Sequence, residues 1–146
     1  MKIFLLFIAL FSFLIISCTP EPEPIDYGND VCEFCKMNIT DNKYASEIVT
    51  NKNKIYKFDS IECLFQFKKG FIKEDEIHSE WVNDFSQPGK LIDLTKAFFL
   101  KSNVFKSPMG MNVLAVKSEE AMNEIKNKDG GMTMTYPEVF NLANQE

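Results

Sequence analysis

Sulfur crowds one short stretch of this chain. Cys32-Glu33-Phe34-Cys35-Lys36-Met37 carries two thiols and a thioether within six residues. Four chemistries suit such a segment. A CxxC pair that follows a strand and opens a helix is a redox motif, because the helix N-terminus lowers the thiol pKa. A structural zinc site wants four Cys or His ligands; Cys32, Cys35 and Cys63 supply three, and His78, the only histidine, is the conceivable fourth. In an oxidising compartment Cys32 and Cys35 would pair as a disulfide. Finally, thiolate and thioether are soft donors that select Cu(I), and a thioether cannot be lost to a disulfide.

Other residues are weighed against these chemistries. Met37 and Met109, both beside polar or loop-forming residues, are candidate copper ligands, and Met111 adjoins them. Met132 and Met134 read equally well as ligands or as packing, and Met122 reads as core, where methionine fills gaps. Cys63, among Ile61, Leu64 and Phe65, reads as mid-helix and more as a small buried hydrophobe than as a ligand. His78 reads as a half-exposed strand residue and Trp81 as core. The CxxC precedes the first clear strand instead of following one, which argues against a thioredoxin-like arrangement.

Compartment decides much of this. Residues 1–17 open with Lys2 and run apolar from Ile3 to Ile16, broken only by Ser12. That is short of the ~20 residues a spanning helix needs and has the form of a secretory signal. Its end, Leu14-Ile-Ile-Ser-Cys18, resembles the lipobox of bacterial lipoproteins, with Ser17 before the cut and Cys18 taking the lipid. A lipid anchor of several acyl chains holds a protein firmly to a membrane. Residues 18–30, rich in Pro and Glu, bury little apolar surface and read as a disordered tether. The expectation is a lipoprotein of the cell envelope, its domain outside the cytoplasm. With Cys18 committed to lipid, an odd number of cysteines remains, which favours a reactive thiol or a metal ligand over a disulfide framework.

From Val31 to the end, residues 31–146, the chain suffices for one modest domain, and its ten phenylalanines supply a core. The formal charge is −5, and −6 once Lys2 leaves with residues 1–17. An acidic chain with scattered lysines and no basic patch is a poor nucleic-acid binder. It has no Gly-rich phosphate loop, no GxSxG nucleophile motif and no imidazole-rich metal site.

The elements that must position these residues recur in order. Strands are predicted over Tyr44–Thr50 and Ile55–Asp59, joined by the turn Asn51–Lys54. Asp59 and Ser60 are both good N-caps for a helix through Ile61, Leu64, Phe65 and Lys68, ending at Gly70. A strand over Ile77–Phe85 and a turn at Ser86–Lys90 follow. Strands over Lys96–Ser102 and Met111–Lys117 flank a tight Ser-Pro-Met-Gly loop. Ser118 caps a helix that Gly130-Gly131 stops, and a short Met-Thr-Met-Thr-Tyr strand and a last helix from Pro137 to Ala143 close the chain. The result is β-β-α-β twice: an α+β fold of two ββαβ units packed as one small domain, with antiparallel sheets and helices on one face.

Taken together, in order, the motifs resemble the NosL family of copper-binding lipoproteins. They are Cys18, "CEFCKMNI", "KFDSIECLFQF", "WVNDF…LIDLTKAFFL", "SPMGMNVLAV" and "GGMTMTYPEV", spanning nearly the whole mature chain. The resemblance implies a Cu(I) carrier that is not an enzyme and serves maturation of nitrous-oxide reductase or another copper enzyme, with delivery through a membrane transport complex. It implies Cys35 and Met37 as the sulfur pair, Cys32 as a further thiol and Met109 approaching from the second unit, with His78 the only available imidazole. The rival readings are a thiol–disulfide reductant working through Cys32 and Cys35, and a zinc-bound interaction module.

Overall fold

The computed structural model describes residues 19–145; the expected signal segment and Cys18 lie outside the described residues. The described strands are β1 (Ser46–Thr50), β2 (Ile55–Phe58), β3 (Ile77–Asn83), β4 (Leu91–Asp93), β5 (Phe98–Lys101), β6 (Val113–Val116) and β7 (Met132–Met134). The helices are α1 (Ile61–Phe71), α2 (Glu119–Asp129) and α3 (Tyr136–Ala143). One sheet runs β2-β1-β3-β4 and the other β6-β5-β7, with every pairing antiparallel. In both, the first strand of the unit is central, its hairpin partner lies on one side and the strand after the helix on the other. The expected two ββαβ units are therefore present.

Local chemistry accounts for the boundaries. Ser60 caps α1 by accepting from the Cys63 N–H, and Ser118 caps α2 by accepting from the Ala121 N–H. In α3 a capping box joins Thr135 and Glu138, and Pro137 sits in the first turn, where its missing N–H costs nothing. Gly131 has φ +124°, and a Cβ there would lie 2.8 Å from the Lys101 carbonyl oxygen. Only glycine lets the chain enter β7 so close against β5.

Alternation explains why the second sheet is buried on both sides. Phe99, Val113 and Ala115 face the main core, shared with Ile48, Phe58, Phe65 and Val139. Leu100, Leu114 and Val116 face the other way, toward Met122 of α2. The main core thus lies between the two units, and the helix α1 packs on β1 and β2 and against α3.

Several expectations need correction. β4 was not foreseen. Three residues are too few to show a period, yet Leu91–Asp93 pairs with β3 and Asp93 then caps a 3-10 turn over Leu94–Lys96. β3 ends at Asn83 and not at Phe85, because the Asp84 N–H bonds back to the Lys90 carbonyl and starts the turn. The predicted tether boundary at residue 30 falls too late. Ile25 is buried in the main core, the Glu23 N–H donates to Glu47 Oε1, and Lys57 Nζ holds both the Pro24 carbonyl and Asp30. Trp81 is half-buried instead of core, its Nε1–H donating to Ser79 Oγ.

One polar network crosses the units. Lys68 Nζ of α1 lies 2.9 Å from Glu80 Oε1 of β3 and 3.0 Å from the Tyr136 hydroxyl, which donates to Glu80 Oε2. Glu80 is buried. Removing one member of such a pair strands a buried charge. Lys68→Met is expected to lower stability by about 3 kcal/mol or more, read as a lower urea midpoint, whereas a loss below roughly 1 kcal/mol would mean the pair behaves as an exposed one.

Candidate metal site

The sulfur-rich segment folds as a tight turn pinned to the β2–α1 junction. The Lys36 N–H donates to the Cys32 carbonyl, the Cys32 N–H to the Met37 carbonyl and the Glu33 N–H to the Lys57 carbonyl of β2. Val31 and Asn38 close the turn as an antiparallel bridge. Lys36 takes a left-handed φ of +62°, a conformation an L-residue adopts only when its surroundings hold it there.

Across this turn lies the start of α1. Ser60, not Asp59, is the N-cap, so the Asp59 carboxylate is released from helix capping and points among the thiols. Cys63 occupies the first helical turn, where the expectation was mid-helix. Single metal-binding atoms of Cys32, Cys35, Asp59 and Cys63 all lie within 4.8 Å of one another, a group one ion can span. All three thiols are free, Cys32 and Cys63 buried and Cys35 half-buried. The Cys35 thiol donates to Asp59 Oδ2 at 3.5 Å. Asp59 is 3% exposed, and its Oδ1 has no hydrogen-bond partner.

The electrostatics divide the three thiols. Cys32 is held down to about 6, chiefly by the hydrogen bond from Cys63 and against the penalty of burial, with the Asp59 and Cys35 N–H groups also turned to its sulfur. Cys35 is pushed up to about 11 by burial, though the Met37 N–H opposes this. Cys63 is raised, first because it gives its proton to Cys32, then by burial and by Asp59. One sulfur carries the charge and its neighbours donate to it. Such an arrangement is ready to exchange protons for a soft cation, since metal binding requires deprotonated thiols.

The other candidates fall elsewhere. Met37 lies in the same turn, two residues after Cys35, and is 48% exposed. Phe34 of the same turn meets Phe71 of α1 edge to face at 6.0 Å. Met109 and Met111 line a separate recess of about 340 Å³ with Glu62, Gln66 and Asn112; no cysteine lines it. Glu62 holds that loop, accepting from the Ser107 hydroxyl and the Met111 N–H. His78 is exposed on β3 and outside the cluster. The fourth metal-binding side chain in the group is a carboxylate and not an imidazole. Cys63, weighed as core packing, is in the site. Asp59 was missed because its place before the helix reads as a cap; its spacing four residues ahead of Cys63 was the available signal.

An α+β domain of paired ββαβ units, with a thiol cluster at its first strand–helix junction, is the class that fold and site define. The NosL family profile matches residues 25–142, and the chain belongs to the NosL family. Among solved structures it is similar to the crystal structure of the copper chaperone NosL from Shewanella denitrificans. That match has a TM-score of 0.69 and 21% identity, covering 82% of this chain and 96% of that one. At this identity the likeness shows the fold. No curated protein matches the chain.

The thiol arrangement is open to a chemical check. In the native protein a single thiol among the described residues, Cys35, is expected to react with a small alkylating reagent. Its rate should climb about tenfold per pH unit from 7 to 10, where an unperturbed thiol levels off above about 9. A rate already level at pH 8, or three thiols labelled without denaturant, would contradict the arrangement.

Proposed function

We propose that this protein is a Cu(I) carrier of the cell envelope, held to a membrane by lipid on Cys18. The observation that carries the reading is the convergence of Cys32, Cys35 and Cys63 within one ion's reach, with only Cys35 partly open to solvent and Met37 exposed in the same turn. Cu(I) favours soft sulfur donors and accepts two or three of them. The membership in the NosL family and the copper chaperone of the same fold support copper as the cargo. The ion is written here as cargo, not as a resident cofactor.

The residues divide the work. Cys32, already the most acidic thiol, supplies the anchoring sulfur. Cys35 is the thiol through which the ion enters and leaves, and Met37 offers a weaker sulfur that a partner's ligand can replace. Burial of Cys32 and Cys63 keeps water and oxidants from the ion. The short linker between Cys18 and the packed segment at Ile25 sets the reach to a membrane transport complex or a copper-accepting enzyme, nitrous-oxide reductase being the acceptor the family suggests. Nothing in an acidic surface of this kind suits nucleic acid.

The reductant reading is weakened by the same geometry. Attack on a partner's disulfide needs an exposed thiolate. Here the accessible thiol, Cys35, is pushed up to about 11, and the acidic one, Cys32, has no exposed surface.

Anaerobic competition with Cu(I) chelators tests the proposal. One Cu(I) per chain is expected, with Cys35→Ser and Cys63→Ser each weakening affinity by on the order of a hundredfold. Met37→Ala is expected to weaken it by about tenfold and Met109→Ala by less than about threefold. Binding indifferent to Cys35 and Cys63 would sink the proposal.

A further inference from the structure

One row of side chains crosses the whole first sheet on its outer face. Lys57 of β2 stands opposite Glu47 of β1, Glu47 opposite Trp81 of β3, and Trp81 opposite Asp93 of β4; residues directly opposite share a face. Their neighbours Ile48, Phe58 and Val82 point the other way, into the main core. The N-terminal segment covers only the first half of the row. The Glu23 N–H donates to Glu47 Oε1, and Lys57 Nζ holds the Pro24 carbonyl. The second half is open. Trp81 and Leu91 line a recess of about 360 Å³ together with Lys90, Lys96 and Lys117. These lysines come from the turn before β4, the 3-10 turn after it and the end of β6, so no basic run in the sequence announces them. Asp93 pairs with Lys96 at 2.7 Å and is the one carboxylate lining the recess. The recess is therefore positive on a chain whose net charge is −5.

The length of the linker decides what meets this face. Glu23 is pinned to it, and Cys18 stands five residues earlier. Five residues span at most about 18 Å, whereas a domain of this size is roughly 35 Å across. A lipid on Cys18 therefore cannot bring the opposite side of the domain to the membrane, and the outer face of the first sheet turns toward it. Tryptophan settles at the headgroup level of a bilayer, with its ring in the apolar boundary and its N–H among polar groups. Lysines are drawn to the negative surface of anionic lipids. We propose that the Trp81 recess is a membrane-docking surface that seats the domain on anionic lipid, with Lys90, Lys96 and Lys117 against lipid phosphates. Docking fixes one orientation of the domain, so a membrane partner meets the same side of it each time. The inference rests on the lipid proposed for Cys18 and not on which metal the protein carries.

Trp81 is the only tryptophan, so its emission is the readout. The lipidated protein is reconstituted in vesicles that include phosphatidylcholine with a nitroxide on its headgroup. Emission is expected to fall by about half when about a third of the lipid is phosphatidylglycerol, and by less than about a tenth in phosphatidylcholine alone. Lys90→Glu, Lys96→Glu and Lys117→Glu combined should abolish most of the quenching. If that variant folds poorly, high salt applied to the wild-type protein carries the test, since screening removes the same attraction. Emission unchanged in anionic vesicles, or quenching indifferent to lipid charge, overturns the inference. So does inorganic phosphate that reverses the quenching at constant ionic strength, because the recess would then prefer a free anion. The mass of the purified protein separates this result from the anchoring itself. A lipidated Cys18 with unquenched Trp81 ends the docking and leaves the anchor in place, whereas an unmodified Cys18 ends both.

Discussion

The hydrogen bond from the Glu33 N–H to the Lys57 carbonyl is the contact on which the site depends. It lays the Cys32–Cys35 turn along the end of β2, so two segments more than twenty residues apart in sequence share one small volume. β2 ends at Phe58, Asp59 and Ser60 form the corner, and Cys63 follows in the first turn of α1. The corner is fixed in turn by the Ser46 hydroxyl, which donates to the Ser60 carbonyl from the central strand β1. The position of each sulfur is therefore set by backbone bonds rather than by flexible side chains, the condition under which a metal grip keeps its geometry.

Holding that corner in place has a cost, visible as an orphaned Asp59 oxygen and a left-handed Lys36. Unsatisfied polar groups and unusual backbone angles concentrate where function requires them. The remainder of the domain is conventional by comparison. Caps start the helices, alternation buries both faces of the second sheet, and the Lys68–Glu80–Tyr136 network ties α1 to β3 and α3. A well-formed core of this kind offsets a strained junction at its edge.

Much of the fold was legible because it is written in local chemistry. Ser60 and Ser118 cap where their hydroxyls precede helical spacing, Gly130-Gly131 stops α2, and Asn51–Lys54 turns the first hairpin. β4 was not legible, since three residues carry no period. The early packing of Ile25 was hidden by the Pro and Glu around it. In the site, the Cys32–Met37 spacing was readable as a soft-metal grip. The participation of Cys63 was readable only in part: it counted as a third possible ligand, but its apolar neighbourhood made the thiol look more like packing. Asp59 was hidden differently: a residue able to cap a helix was displaced from that role by the serine beside it, and only the folded corner shows which of the two is used.

X-ray absorption at the copper edge of the Cu(I)-loaded mature chain tests the central claim most directly. The account predicts a coordination shell of two or three sulfurs, losing one sulfur when Cys63 is replaced by serine. A shell dominated by nitrogen or oxygen, or one unchanged by that substitution, would contradict it and place the copper outside the thiol cluster.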